Sequence, residues 1–184
     1  MMLNRRLTLY HGSYCTVSAP ELAKCQQGKD FGQGFYLTTE LEQARRFVRN
    51  AIRKRFKGNS NKPTAGCVSV FEFIPDNALN IYEFGAADIE WLHCIASHRQ
   101  NYMYPQATDP WQPYDIIYGK IANDTTNFVL TNYLAGAYGK VGSDAAAELA
   151  IRFLEPQNLK DQACFRTAHA LRAITFVDSM EVSV

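Results

Sequence analysis

The chain reads as a single α+β domain over residues 1–184. Three observations carry this. Strand-like segments gather toward both ends of the sequence, with helical patterns between them. One helix, over 40–57, has a well-defined apolar stripe. At 184 residues and 47% hydrophobic content, the chain can build one good core but not two comfortable domains.

The first strand is Leu7-Thr8-Leu9-Tyr10, which runs directly into His11-Gly12-Ser13. A polar stretch follows, and Phe31-Gly32-Gln33-Gly34-Phe35-Tyr36-Leu37 enters a second strand. Glycines flanking an aromatic strand mark a place where the backbone lies close to something. Thr39-Glu40-Leu41-Glu42 has the spacing of a capping box. Beyond it Leu41, Ala44, Phe47, Val48, Ala51, Ile52 and Phe56 recur at i, i+3 and i+4, and Gly58 suits the C′ position.

Cys67–Phe73 alternates as a strand and stops at Ile74-Pro75-Asp76. Residues 86–98 carry Ile89, Leu92 and Ile95 on one helical side, and the proline-rich segment 104–113 reads as loop. Asp115–Gly119 is a short buried strand. Asp124 or Thr125 suits the cap of a helix running to about Tyr138 and stopping at Gly139, and Ser143 caps another through Leu154. Residues 163–166 and 174–177 close the chain as strands.

Bulk properties exclude several classes. Nineteen basic and 18 acidic residues leave a net charge of +1, which by itself argues neither for nor against a nucleic-acid partner. The chain has no apolar run long enough to span a membrane, and the N-terminus has no apolar stretch behind Arg5-Arg6, so neither a membrane anchor nor a secretory leader is expected. Five cysteines without a C-x-x-C pair read as free thiols in a reducing cytoplasm. His93 and His98 are five apart, the wrong spacing for two ligands on one helical face, and no metal site is expected. Between Arg45 and Lys57 there are seven basic residues and no acid, so the remainder of the chain carries −6. That run reads first as a solvated helix face and second as a contact surface for an acidic partner, a nucleic acid or a pyrophosphate.

The ordered pair Tyr10-His11-Gly12-Ser13 and Gly32-Gln33-Gly34-Phe35-Tyr36-Leu37 resembles the NAD-binding half of the ADP-ribosyltransferases, both the poly-ADP-ribose-polymerase-like and the diphtheria-toxin-like groups. Residues 114–124 and Asp161-Gln162-Ala163-Cys164-Phe165-Arg166-Thr167 are similar to a small bacterial branch of that superfamily whose members often look like toxins of toxin–antitoxin pairs. The resemblance covers roughly residues 7 to 180. It implies a split β-sandwich with flanking helices, NAD as co-substrate, and three signature positions, His11, Tyr36 and Gln162.

By the same resemblance His11 bonds the adenosine-ribose hydroxyls, and the Gly12 N–H and C=O hold the nicotinamide carboxamide. Ser13 adds a hydrogen bond, Gly34 gives access, Tyr36 stacks on the nicotinamide ring and Phe47 is the candidate opposite wall. Packing in the core is the alternative for Phe47. Stacking and cation–π contacts to a pyridinium are each worth on the order of 1 kcal/mol.

The chain departs from the best-studied members at the third position. Those enzymes carry a glutamate where Gln162 stands here. An amide makes the hydrogen bond to the ribose 2′-hydroxyl but carries no charge for an oxocarbenium-like transition state. Glu148 and Glu155 are the nearby carboxylates in sequence. The implied activity is transfer of a single ADP-ribose to a protein or nucleic-acid acceptor, with an antitoxin as a further partner. The alternatives are an NAD glycohydrolase and a module that binds NAD or ADP-ribose without turnover. RNA 2′-phosphotransferase chemistry wants an Arg/His cluster that the motif region lacks.

Overall fold

The computed structural model describes residues 2–99, 109–121, 124–154 and 159–184, without the side chains of 124 and 125. The polypeptide enters through β1 (Leu7–Ser13), makes a 3-10 turn at Leu22–Lys24, and forms β2 (Phe35–Leu37) and α1 (Leu41–Arg55). There follow β3 (Ala65–Phe73), β4 (Ile81–Glu83), α2 (Ile89–Arg99), β5 (Ile116–Lys120), α3 (Asp124–Leu134), α4 (Asp144–Arg152), β6 (Asp161–Phe165), α5 (Ala168–Arg172) and β7 (Ile174–Ser183).

Two sheets result. One has the order β1-β3-β7, the other β2-β6-β5-β4; among the described residues only the β4–β5 pairing is parallel. Residues directly opposite each other across a ladder share a face. Phe35, Leu37, Ala163, Phe165, Ile116 and Tyr118 therefore line one side of the second sheet, and they bury against Leu9, Phe71, Phe73 and Ile174 of the first. Tyr36, Gln162, Cys164 and Ile117 line the opposite side. There Cys164 and Ile117 join a core made by Trp91, Leu92 and Ile95 of α2 with Tyr133 and Ala147 of α3 and α4. Helix α1 covers the outer face of the first sheet, laying Ala44, Val48 and Ile52 on Val68 and Tyr10. The layers are helix, sheet, sheet, helices, and the class is α+β.

Boundaries differ from the sequence expectations where tertiary contacts intervene. The capping box does not form. Helix α1 has Glu40 as its N-cap with no side-chain cap bond, because Thr38 is still paired with Tyr10 in an isolated bridge and holds the chain extended. The Thr38 hydroxyl accepts from the Glu40 N–H instead, at 3.1 Å. The helix ends with Phe56 as C-cap, and Gly58 takes a left-handed φ of 78° two residues later.

Helix α2 begins three residues later than the apolar pattern suggests, where the Asp88 carboxylate accepts from the Trp91 N–H. Helix α3 stops four residues early, ahead of Gly136 with φ 78°. Ser143 caps α4 as expected, accepting from the Ala146 N–H, though that helix ends at Arg152 rather than Leu154. The second expected strand shortens to Phe35–Leu37, β7 extends well past Val177, and β4 and α5 have no counterpart in the sequence reading. The expected loop at 104–113 lies partly outside the described residues, as do Glu155 and the cap side chain at 124 or 125.

Candidate functional site

The site forms where the two sheets part. Tyr10 and Thr38 exchange both backbone hydrogen bonds, Tyr10 N to Thr38 O at 2.8 Å and Thr38 N to Tyr10 O at 3.0 Å. Beyond that bridge β1 continues as His11-Gly12-Ser13 while β2 turns away. Backbone groups alternate between the two edges of a strand, so Gly12 directs its N–H and C=O to the edge that Tyr10 uses for Thr38. Neither Gly12 group has a partner among the described residues. A donor and an acceptor stand side by side, open, at the split.

His11 and Tyr36 meet through the main chain. The His11 Nδ1 lies 2.9 Å from the Tyr36 carbonyl oxygen and donates to it in the tautomer that carries a proton there. The ring packs on Phe35 with centroids 4.4 Å apart. Burial lowers the His11 pKa, partly opposed by the hydrogen bond to Tyr36, so the imidazole is held neutral. The Tyr36 ring lies on the other face of β2. Its hydroxyl donates to the Gly32 carbonyl at 2.8 Å and accepts from the Phe31 N–H at 2.9 Å. Burial raises that phenol well above its ordinary value and keeps it protonated.

Gln162, 5% exposed, occupies the same face as Tyr36 and donates through Nε2 to Asp30 Oδ2 at 2.8 Å. Asp30, also 5% exposed, receives Arg99 on its other oxygen, with Nε at 2.7 Å and Nη2 bonding alongside. A buried guanidinium, carboxylate and amide thus form a row from the end of α2, through the loop ahead of β2, to β6. The carboxylate nearest Gln162 in space is Asp30. Glu148 is exposed on α4, and neither residue 30 nor residue 99 carries a sequence signal toward position 162.

A second buried glutamine lies beside β6. Gln43 of α1 donates to the Asp161 carbonyl at 3.3 Å, and the Thr38 hydroxyl donates to the same oxygen at 3.1 Å. Gln43 is 8% exposed, and its Oε1 has no hydrogen-bond donor among the described residues. A buried acceptor left without a donor in this way is uncommon in native structures.

Two glycines expected to open the site to a ligand are held by the protein itself. A Cβ on Gly12 would lie 2.0 Å from the Ala44 carbonyl oxygen and 3.0 Å from the Phe47 Cβ, so α1 sits directly on the Gly12 α-carbon. A Cβ on Gly34 would lie 2.5 Å from Cys164 Sγ and 2.7 Å from the Phe165 carbonyl oxygen. Close approach at Gly34 is to β6. Phe47 is half-buried on α1 with its Cβ beside Gly12, and Ser13 is buried at the end of β1. Cys164 packs in the core, and burial pushes its thiol up to about 12, which leaves it no nucleophilic role.

All seven basic residues between Arg45 and Lys57 are exposed, and Arg45 pairs with Glu42 at 2.6 Å. A separate groove of about 540 Å³ is lined by Asp88, Glu90, His93, Trp111 and Asp144 among others. None of the motif residues lines it. No helix among the described residues is long and apolar enough to cross a membrane.

Comparison with curated proteins yields no match. Residues 7–176 match a family described as a protein of unknown function, DUF3990, an interval that runs from the first residue of β1 into β7 and takes in His11, Tyr36, Asp30, Arg99 and Gln162. The chain belongs to the DUF3990 family.

Proposed function

We propose that this domain binds NAD at the split between its sheets and transfers ADP-ribose to a macromolecular acceptor, releasing nicotinamide. The observation that carries the reading is the open edge of β1. Gly12 offers an N–H and a C=O side by side, with Tyr36 on β2, the strand that diverges from it, and Gln162 on β6, the strand paired with β2. A primary carboxamide needs one acceptor and one donor at that spacing, which a free strand edge supplies without any side chain.

In this reading the glycosidic bond from nicotinamide to the ribose C1′ breaks, and its electron pair leaves with the ring nitrogen. A hydroxyl or amine of the acceptor forms the new bond to C1′ and gives up its proton to solvent. Gln162 accepts from the ribose 2′-hydroxyl and His11 bonds the distal ribose. Tyr36 bounds the nicotinamide side, with Phe47 as the candidate facing wall. An antitoxin that closes this edge and a cytoplasmic setting belong to the same proposal.

Nicotinamide release from NAD by the purified protein is the test, with Tyr36→Ala and Gln162→Ala alongside and a cell lysate added in parallel. Release lost in both variants, with label moved to macromolecules, supports the transferase. Release without label makes the protein an NAD glycohydrolase. The uncharged amide at Gln162 also favours a third reading, binding without turnover, and NAD binding abolished by Tyr36→Ala with no release would establish it. If NAD does not bind, the proposal fails.

A further inference from the structure

We infer that Asp30 is the positioning residue of this site, and that Asp30 and Gln162 together do what a single carboxylate at position 162 would do. The inference rests on the proposed function for its chemistry and on the hydrogen-bond row Arg99–Asp30–Gln162 for its geometry.

A carboxylate only accepts hydrogen bonds, so Asp30 obliges the Gln162 amide to turn its NH2 inward. The Oε1 of Gln162 then points away from Asp30 and has no donor among the described residues. Arg99 on the other carboxylate oxygen pairs with Asp30 and fixes its orientation. In a buried row of this kind each hydrogen bond polarises the next. The charge of Asp30 pushes electron density toward the Gln162 carbonyl oxygen, which becomes a stronger acceptor for a sugar hydroxyl beside a developing positive charge. A neutral side chain at 162 is what this geometry demands. A glutamate there would set two carboxylates 2.8 Å apart, where they hold one proton between them.

The arrangement makes opposite predictions for single and paired changes. In Asp30→Asn the carboxamide must accept from Arg99, which leaves its NH2 facing Gln162. The Gln162 amide then turns over, and Oε1 is drawn inward and lost to the ligand. In Asp30→Asn with Gln162→Glu, the Asn NH2 donates to one Glu oxygen and the other faces outward with its charge. Rescue by a second change at 162 is a result that a purely structural Asp30 does not give.

The experiment uses the full chain in four forms: unaltered, Asp30→Asn, Gln162→Glu and the double variant. It has two readouts, nicotinamide release from NAD as kcat and KM, and the thermal midpoint from about pH 5 to about pH 8. The expected kinetic result is a fall in kcat of about tenfold or more for Asp30→Asn with KM nearly unchanged, restored in the double variant. The expected melting result concerns Gln162→Glu alone. Its shared proton belongs to a carboxyl whose folded pKa is raised, so stability is present at low pH and is lost as pH rises through that folded pKa. The double variant has no such loss.

Wild-type kcat in Asp30→Asn overturns the inference. So does a double variant that melts like wild type but stays at the Asp30→Asn rate. Should Asp30→Asn fail to fold, the Gln162→Glu profile decides, because it retains Asp30; a flat profile relative to wild type overturns the pairing. If the unaltered protein releases no nicotinamide, the proposed function and the catalytic half of the inference fall together. The melting profiles still test the pairing independently.

Discussion

Replacing Gly12 by alanine tests the packing of α1 on β1. The added Cβ would sit 2.0 Å from the Ala44 carbonyl oxygen, 2.9 Å from its carbonyl carbon and 3.0 Å from the Phe47 Cβ. Backbone cannot swing aside as a side-chain tip does, so the helix must retreat by roughly 1 Å to relieve the contact. A gap of that size forfeits about a quarter to a half of the dispersion contacts across it. The face at risk is Ala44, Val48 and Ile52, all 3% exposed or less, against Val68. Burial of side chains like Val48 and Ile52 is worth about 1.5–3 kcal/mol each, so the lost fraction is about 1–2 kcal/mol. Overpacking strain adds about 1–3 kcal/mol, and the stiffer unfolded chain returns about 0.4–1 kcal/mol. The net expectation is a destabilisation of about 3 kcal/mol. Urea denaturation measures it, with Thr8→Ala, exposed on the same strand, as the control. A Gly12→Ala midpoint as close to wild type as that of Thr8→Ala would refute the close packing. The result also bears on function, because NAD binding lost in Gly12→Ala is then a folding effect and no evidence of a nicotinamide contact.

Three further outcomes are expected. Tyr36→Phe removes the hydroxyl that bridges the Phe31 N–H and the Gly32 carbonyl, which destabilises by about 1–3 kcal/mol in thermal or urea unfolding; an unchanged midpoint would mean that water replaces the bridge at no loss. Arg49→Glu turns two repulsive i, i+4 pairs, with Arg45 and Arg53, into attractive ones on an exposed helix face. It stabilises by about 1 kcal/mol at low salt, and the gain shrinks as salt is added. His11 has a folded pKa below its ordinary 6.5, so the folded state prefers it neutral. The unfolded chain then binds the proton first as pH falls. The stability His11 contributes is present above about pH 6.5 and is lost below it. Denaturation across that range should show a shallower acid-side decline in His11→Asn than in the unaltered protein, and equal slopes would remove His11 from the pH dependence.

How much of this was legible in the sequence follows from the range of the interactions concerned. The stripe from Leu41 to Ile52, the Ser143 cap and the alternation of Cys67–Phe73 involve neighbours within a few positions, and these elements formed where their patterns lie. The α+β class follows from their order along the chain. Strands β1 and β2 carry His11 and Tyr36 about twenty-five positions apart, and that spacing was readable as an ordered pair of motifs. The capping box at Thr39–Glu42 was equally readable and did not form, because the long-range bridge from Tyr10 to Thr38 outweighed a local preference. Gly12 and Gly34 were readable as sites of close approach, yet what approaches them, Ala44 of α1 and Cys164 of β6, is set by packing.

Tertiary structure alone decided the surroundings of Gln162. Its partner Asp30 lies 132 positions away, Arg99 lies between them at 69 positions from Asp30, and nothing in local composition links the three. A buried carboxylate must find its counter-charge wherever the fold brings one, since in the low-dielectric interior an unpaired charge is far costlier than any chain separation.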